Sequence, residues 1–206
     1  MQKKEPVYLV GASGHGKVIL EIIEEENRRV AGLFDDNPGK KELLGYPVIG
    51  SLQPGRYPED ARFIISIGNN KIRKDYTERF DLLYTTVVHP KTAVSRRCDI
   101  GDGTVIMAGV SVNSSSSIGK HVILNTNCSV DHDCIIEDFV HISPNACLAG
   151  NVVVGEGTHV GAGAVIIQGV NIGRWATIGA GAVVLKDVED HAIVVGNPAK
   201  GIRHNH

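Results

Sequence analysis

The segment Asp131-His132-Asp133 places an imidazole between two carboxylates. A carboxylate can hold one ring nitrogen and stabilise the imidazolium, leaving the other nitrogen to take a proton. That is the composition of an oriented general base, and Asn125, Asn127, His141 and Asn145 lie close by in the chain. A second feature is the loop Gly11-Ala12-Ser13-Gly14-His15-Gly16, followed later by Asp35-Asp36 and by Gly68-Asn69-Asn70. Backbone N–H groups at a glycine turn that opens a helix suit a phosphate-bearing ligand. The spacing is G-x-x-G-x-G and not the dinucleotide fingerprint G-x-G-x-x-G, which argues against NAD. The plain alternatives are a glycine turn beside two solvated carboxylates, and surface or ladder histidines at His121 and His159.

The elements that must carry these groups follow from a repeat. Stepping by six from Val88, the residues Val88, Val94, Ile100, Ile106, Val112 and so on to Val184 are Ile, Val or Leu without exception. Four residues after each comes a small or modest one, such as Cys98, Thr104, Cys128, Cys134, Ala164 or Ala182. A period of six fits neither a helix nor a heptad. It predicts a parallel β-helix in which each hexapeptide makes one short strand and a corner, and three hexapeptides close a triangular coil. Aliphatic side chains point inward with the small ones beside them, so Cys98, Cys128 and Cys134 are expected to be core filler.

Column arithmetic then places the polar groups. Residues eighteen apart stack on successive coils. Pro144, Ala162 and Ala180 therefore form a smooth line parallel to the axis, suited to a thin ligand arm such as pantetheine, or simply to turns that need small residues. His132 and His141 are nine positions apart, half a coil, so within one chain they lie on opposite sides of the triangle. They can share a site only between neighbouring prisms, as in a trimer with clefts between subunits.

Before the repeat, strands at Val7–Val10, 29–34 and 62–67 alternate with helices near 17–27 and 72–80, which indicates a small parallel α/β domain. The Pro- and Gly-rich stretch 36–59 reads as loop and short strand. The expected organisation is an α/β half-Rossmann domain over 1–86, an all-β left-handed parallel β-helix over 87–190, and a C-terminal turn and tail over 191–206.

Composition narrows the function. Lys and Arg number 21 against 23 Asp and Glu, for a net charge of −2, so no basic field exists for nucleic acid or anionic lipid. The apolar run after Met1-Gln2-Lys3-Lys4-Glu5-Pro6 is too short for a signal core or a membrane span, which predicts a cytoplasmic protein without membrane insertion. Four cysteines without a C-x-x-C pair give no zinc signature, and no metal is expected.

The uninterrupted hexapeptide repeat resembles the left-handed β-helix acyltransferases, trimers that use acetyl-CoA. More narrowly, the chain resembles the nucleotide-sugar N-acetyltransferases of the bacillosamine pathway and their sialic-acid and perosamine relatives. The resemblance rests on 11–16, Asp35-Asp36, Ile67-Gly68-Asn69-Asn70-Lys71-Ile72-Arg73, Asn125-Thr126, His132-Asp133-Cys134, His141 and Gly196-Asn197-Pro198-Ala199-Lys200. It implies that His132 is the general base, that Asp133 raises its basicity and that Asn125 shapes the catalytic site. It also implies that His141 meets the acetyl-thioester end of acetyl-CoA and that Ala162 and Ala180 line the pantetheine groove. Ser13, Gly14, His15, Asp35, Asp36 and Gly68 would hold the nucleotide sugar, and the assembly would be a homotrimer. The bacillosamine enzymes carry Glu where this chain has Asp133, which leaves Asp131 as a second candidate orienter. The substrate implied is the C4 amine of a UDP-linked 4-amino-4,6-dideoxy sugar. The alternatives are O-acetylation of the sialic-acid type, a GDP- or dTDP-linked amino sugar, and a non-catalytic binding solenoid.

Overall fold

The structure, a computed structural model, describes residues 6–204; Met1–Glu5 of the leading segment and Asn205 and His206 of the tail lie outside the described residues. The α/β domain contains β1 (Val7–Val10), α1 (Gly14–Glu25), β2 (Val30–Phe34), β3 (Glu42–Leu43), β4 (Tyr46–Gly50), β5 (Arg62–Ile65), α2 (Asn70–Arg79) and β6 (Leu83–Tyr84). Its sheet runs β3-β4-β2-β1-β5-β6, parallel except for the β3–β4 hairpin. The chain moves from β1 to β2 on one side and returns to β5 on the other. The loops after β1 and β5 thus diverge at a topological switch point, where open α/β sheets bind ligands.

Local chemistry sets the helix limits. Gly16, Ile19, Leu20 and Ile23 are buried at helical spacing on α1. The helix starts at Gly14, earlier than the apolar periodicity indicates, because the glycine loop itself supplies the first turn. It stops where Asn27 turns left-handed at φ 55°. Asn69 caps α2 by accepting the Ile72 N–H at 3.0 Å, so that helix begins at Asn70 and not at Ile72.

From Val87 onward the chain winds a three-sided parallel β-helix of two-residue strands, and the fold class is as expected from the repeat, a left-handed parallel β-helix behind an α/β domain. Face 1 stacks the strands from Val87–Val88 to Thr177–Ile178, face 2 those from Ala93–Val94 to Val183–Val184, and face 3 those from Asp99–Ile100 to Asn171–Ile172. Register partners are eighteen residues apart throughout, as in Ile123 with His141 and His141 with His159. The corners obey the same period. Positive φ recurs every six residues from Gly103 and Gly109 through Asn127, Asp133, Asn145 and Gly163 to Gly181. Left-handed backbone favours Gly, Asn and Asp, which is why the corners are rich in them.

Three inward positions are polar, and each hydroxyl sews two coils together. Thr104 Oγ1 accepts the Val122 N–H at 3.0 Å and donates to the Gly119 carbonyl at 2.8 Å. Ser116 does the same with the Cys134 N–H and the Asp131 carbonyl, and Thr158 with the Ala176 N–H and the Gly173 carbonyl. Satisfied in this way, buried hydroxyls avoid the desolvation cost of an unpaired polar group.

The α/β domain is docked on face 1 by two devices. Ile19, Leu20 and Ile23 of α1 share a core with Val87, Val105, Met107 and Ile123, the outward side of the first coils. The second device is Arg73 on α2, only 1% exposed, whose guanidinium binds the His121 and Phe139 carbonyls of the β-helix and the Ile67 carbonyl of its own domain. A buried charge left without hydrogen bonds would cost several kcal/mol, so these contacts lock the orientation of the two domains.

The C-terminal segment departs from the expected turn and tail. Ala192–Val195 adds a parallel strand to face 1 beside Thr177–Ile178, and Lys200–His204 returns antiparallel to it. The segment 196–199 is the turn of this hairpin. Val194 packs in the prism core, and the apolar run Ala192–Val195 carries the strand signal.

Candidate functional site

His132 stands at the corner between faces 2 and 3, on a frame of contacts to the coils before and after it. Its Nδ1 lies 2.7 Å from Asp133 Oδ2. Asp133 is the left-handed corner residue, φ 59°, and this turns its carboxylate back onto the ring. Asp131 does not touch the ring: its Oδ1 accepts the His132 backbone N–H at 2.8 Å and an Asn113 Nδ2 hydrogen at 2.7 Å. Asp133 is therefore the orienter of the imidazole and Asp131 the brace of the corner. Ser116 Oγ, one coil back, holds the Asp131 carbonyl and the Cys134 N–H. The ring is about half exposed. Its pKa is raised above the ordinary imidazole value, first by the Asp133 hydrogen bond and then by the charge of Asp131. Nδ1–H on the carboxylate leaves Nε2 with its lone pair toward solvent, the form a general base needs.

Gly150, eighteen residues after His132, has its Cα beneath the imidazole. A Cβ there would come within 2.6 Å of His132 Cε1 and 2.8 Å of Nε2. Gly150→Ala is therefore expected to tilt the ring and cut kcat by up to about 10²-fold, as misplacement by about an ångström can. Thermal melting should stay near the wild-type value, because the position tolerates alanine in its backbone. Steady-state kinetics beside a melting curve checks this.

Asn125 is not with His132. It lies at the start of the corner between faces 1 and 2, where its Nδ2 is 3.0 Å from His141 Nε2. His141 stacks on His159 at 4.9 Å, and His159 Nε2 lies 2.8 Å from Ser143 Oγ. His15, from the first turn of α1, tilts toward His141 at 6.2 Å, and its Nε2 is buried without a hydrogen-bond partner among the described residues. The pKa of His141 falls to about 3, chiefly through burial and then through His159, Arg73 and His15. That of His15 falls to about 4 through burial and Arg73. Both rings are neutral at neutral pH, and His141 acts through its contact with the Asn125 amide and not as a charge. The catalytic set expected from the sequence is thus divided: His132 and Asp133 on one corner, Asn125 with His141 on the opposite side of the same prism. The division follows from half a coil separating 132 from 141 and a whole coil less two residues separating 125 from 141.

The remaining predicted ligand groups gather at the carboxyl ends of β1, β2 and β5. Ser13 occupies the N-cap position of α1 and is exposed. Gly14 and Gly68 face open space, since a Cβ at either meets nothing within 4 Å. Gly11 is different: at φ 105° its Cα abuts Ile67 and the Ser66 carbonyl. Asp35 is largely committed to the loop. It accepts the Ala12 N–H at 2.7 Å, the Asn37 N–H at 2.9 Å and Lys40 Nζ at 3.0 Å. Burial works to raise its pKa, but these bonds outweigh that and hold the carboxyl below its ordinary value. Asp36 is exposed and accepts the Tyr76 hydroxyl of α2, so it bridges the mouth of the switch-point cleft. His121, expected at the surface or in a ladder, is 4% exposed and stacked on Phe139 at 5.2 Å in the seam under α2.

Ala162 and Ala180 are exposed on the corner between faces 1 and 2, on the coils beyond Asn125. The adjacent Gly163 and Gly181 would present a Cβ to nothing within 4 Å, which leaves this corner smooth and open. Face 2 lies between this corner and the His132 corner. Its outward column is Ala93, Ser111, Ser129, Cys147, Val165 and Val183, free of charge, with Cys147 and Val165 exposed. Asn113, Ser116 and Gly150 were not singled out by sequence reasoning, and Arg73 was named only within the run 67–73, with no role. The first three stand eighteen residues from Asp131, Cys134 and His132, so the same column arithmetic, applied to the base itself, names them.

Comparison with known proteins agrees with both halves of the chain. Residues 6–80 match the PglD N-terminal domain, and residues 133–168 and 151–186 match the bacterial transferase hexapeptide of six repeats. The chain is 41% identical over 106 residues to the UDP-N-acetylbacillosamine N-acetyltransferase of Bacillus subtilis, a match that takes in 48% of this chain and 49% of that protein. Among solved structures it is similar to the acetyltransferase domain of PglB from Neisseria gonorrhoeae, at 37% identity and TM-score 0.91, covering 97% of this chain and 100% of that one. It is also similar to PerB from Caulobacter crescentus in complex with CoA and GDP-perosamine, at 33% identity and TM-score 0.88, covering 97% and 98%. The PglB domain has also been solved with acetyl coenzyme A. With both domains matched in one alignment over nearly its whole length, the chain belongs to the family of acetyltransferases that join a PglD N-terminal domain to a hexapeptide-repeat β-helix.

Proposed function

We propose that the chain moves the acetyl group of acetyl-CoA to the C4 amine of a UDP-linked 4-amino-4,6-dideoxy sugar, with His132 as general base. The single observation that carries this reading is the His132–Asp133 pair at 2.7 Å, on a half-exposed ring whose Nε2 has no hydrogen-bond partner among the described residues. The relatives support the choice of substrate class, and the bacillosamine enzyme from Bacillus subtilis supports the UDP sugar. In the proposed step the amine nitrogen attacks the thioester carbonyl carbon. A C–N bond forms, the C–S bond breaks, and the amine proton passes to His132 Nε2 and then to the leaving thiolate. Asp133 stabilises the imidazolium while it exists. No covalent acyl-enzyme is needed, and Cys134, buried with its Sγ toward the Ala149 carbonyl, is not placed to form one.

The proposed assembly is a homotrimer in which the three charge-free second faces turn toward one axis. The His132 corner of one copy then meets the Asn125 and His141 corner of the next, because these corners flank that face. Acetyl-CoA would lie along Ala162 and Ala180 with its thioester near Asn125 and His141. The switch-point loops, with Ser13, Gly14, His15, Asp36 and Gly68, would hold the nucleotide sugar. Asp35 would keep that loop in shape. Among the described residues no helix is long and apolar enough to cross a membrane.

The proposed pantetheine groove along the Ala162 and Ala180 corner makes a direct prediction. Ala162→Leu fills it and should raise KM for acetyl-CoA tenfold or more, roughly the effect of a misfitting methylene or two, while KM for the sugar stays put. The test of the whole reading is mass spectrometry of products from a panel of amino and hydroxy nucleotide sugars with acetyl-CoA. An acetylated UDP-amino sugar supports it. A GDP- or dTDP-amino product moves the substrate toward the perosamine-like alternative, and a hydroxy product replaces N- by O-acetylation.

A further inference from the structure

We propose that Tyr76 is a positioning residue that works through Asp36: it holds one carboxylate oxygen so that the other reads a base with a ring N–H beside a carbonyl. This rests on the reading of the switch-point loops as the nucleotide-sugar site. Of the two neighbouring acids, Asp35 is already spent. Its oxygens take the Ala12 and Asn37 N–H groups and Lys40 Nζ, which ties it to the glycine loop. Asp36 is exposed and turns instead toward α2, where its Oδ2 accepts the Tyr76 hydroxyl at 2.5 Å. Its Oδ1 has no hydrogen-bond partner among the described residues.

The hydroxyl is fixed by its ring. Tyr76 stacks on Phe80 at 5.9 Å, Arg79 Cζ lies 5.5 Å from its centroid, and the ring packs against the core that includes Phe34 and Phe63. Burial, and then the bond to Asp36, pushes the phenol pKa up, so the hydroxyl remains a donor. With Oδ2 anchored in this way, Oδ1 is left as the acceptor for a ligand. A carboxylate accepts and does not donate, so the group that meets it carries an N–H or O–H. Phosphates at the glycine loop would put the ribose next and the base last. Asp35 bonds that loop, whereas Asp36 bonds the second turn of α2, at the rim where the base falls. Uracil, thymine and guanine each present a ring N–H flanked by a carbonyl. Cytosine and adenine present a ring-nitrogen lone pair at the same edge, which a carboxylate repels. A ribose hydroxyl would not tell these bases apart.

The test is calorimetry with nucleoside diphosphates and no acetyl donor, because UDP and CDP differ only at this edge of the base. Wild type is expected to bind UDP about tenfold or more tightly than CDP, the usual scale for a hydrogen bond to a charged group. Tyr76→Phe keeps the ring, its stacking and its burial and removes only the hydroxyl. It should weaken UDP about fivefold, leave CDP and acetyl-CoA binding nearly as they were, and so narrow the UDP-to-CDP ratio. Asp36→Ala should bring UDP and CDP to equal affinity. Tyr76→Phe added to it should change nothing further, since a residue that acts through another has no separate effect once that one is gone. Equal binding of UDP and CDP by wild type overturns the proposal. A Y76F protein with the wild-type ratio overturns it as well, since a tyrosine that merely tied α2 to β2 would move the melting temperature and not this ratio. Failure of every nucleoside diphosphate to bind overturns both the proposal and the reading on which it rests. Tighter binding of GDP or dTDP than of UDP, weakened in the same variants, upholds the proposal and overturns only the choice of a UDP sugar.

Discussion

His132→Ala is expected to lower turnover by about 10²–10⁴, the usual worth of a positioned general base, while acetyl-CoA binding stays close to wild type. The ring stands at the corner between faces 2 and 3, away from the Ala162 and Ala180 corner of that same chain, and its side-chain hydrogen bond is to Asp133. Its removal leaves the Asp131 brace with Asn113 and the Ser116 contacts in place. Asp133→Asn sharpens the assignment. The Asp133 hydrogen bond is the largest cause of the raised His132 pKa. A raised pKa places the acid limb of kcat/KM above the ordinary imidazole value, with activity lost as pH falls through it. Removing the carboxylate should move that limb to lower pH and lower the plateau, because the weaker base takes the amine proton less readily. The titration of the substrate amine contributes equally to both profiles and cancels in the comparison. Near-normal turnover in H132A would eliminate His132 as the base.

The second large effect is complementation. His132→Ala and His141→Ala are each expected to inactivate a homogeneous preparation. Co-expressed and assembled together, the two chains should recover activity. A proposed site takes His132 from one copy and His141 from its neighbour, so random mixing of equal amounts leaves about one quarter of the interfaces with both side chains intact. Recovered activity near that fraction is the expected result for the unfractionated mixture of trimers, and about one third for tagged, co-purified heterotrimers, each of which has one intact interface in three. The geometry behind it is plain. Asn125 and His141 sit on face 1 and its corner with face 2, and His132 on the corner opposite face 1. Were one chain to supply both halves, mixing would recover nothing.

Much of the fold was legible in the residues themselves. The six-residue period from Val88 to Val184 specifies strand, corner and inward direction at every step, and the positive φ values recur on the same count. A one-dimensional repeat contacts only its neighbours, so spacing along the chain is nearly the whole of its geometry. The opposition of His132 and His141 was legible for the same reason. Helix ends were less so, since the glycine loop and the Asn69 cap act through backbone hydrogen bonds that apolar periodicity does not report. The C-terminal strands were missed because a turn-rich segment was weighed by its Gly and Pro, and not by the apolar run Ala192–Val195 beside the open end of face 1.

The sequence by itself determined the β-helix, its columns, the inward cysteines and the identity of the imidazole between two carboxylates. Only the tertiary structure decided that Asp133 and not Asp131 grips His132, that Gly150 makes room for the ring, and that Asn125 belongs with His141. It alone also disclosed Arg73, sealed between the domains with every donor on an oxygen. The reason is physical. A periodic solenoid fixes neighbours by counting, whereas side-chain orientation and the docking of a second domain depend on contacts between segments that no local period relates.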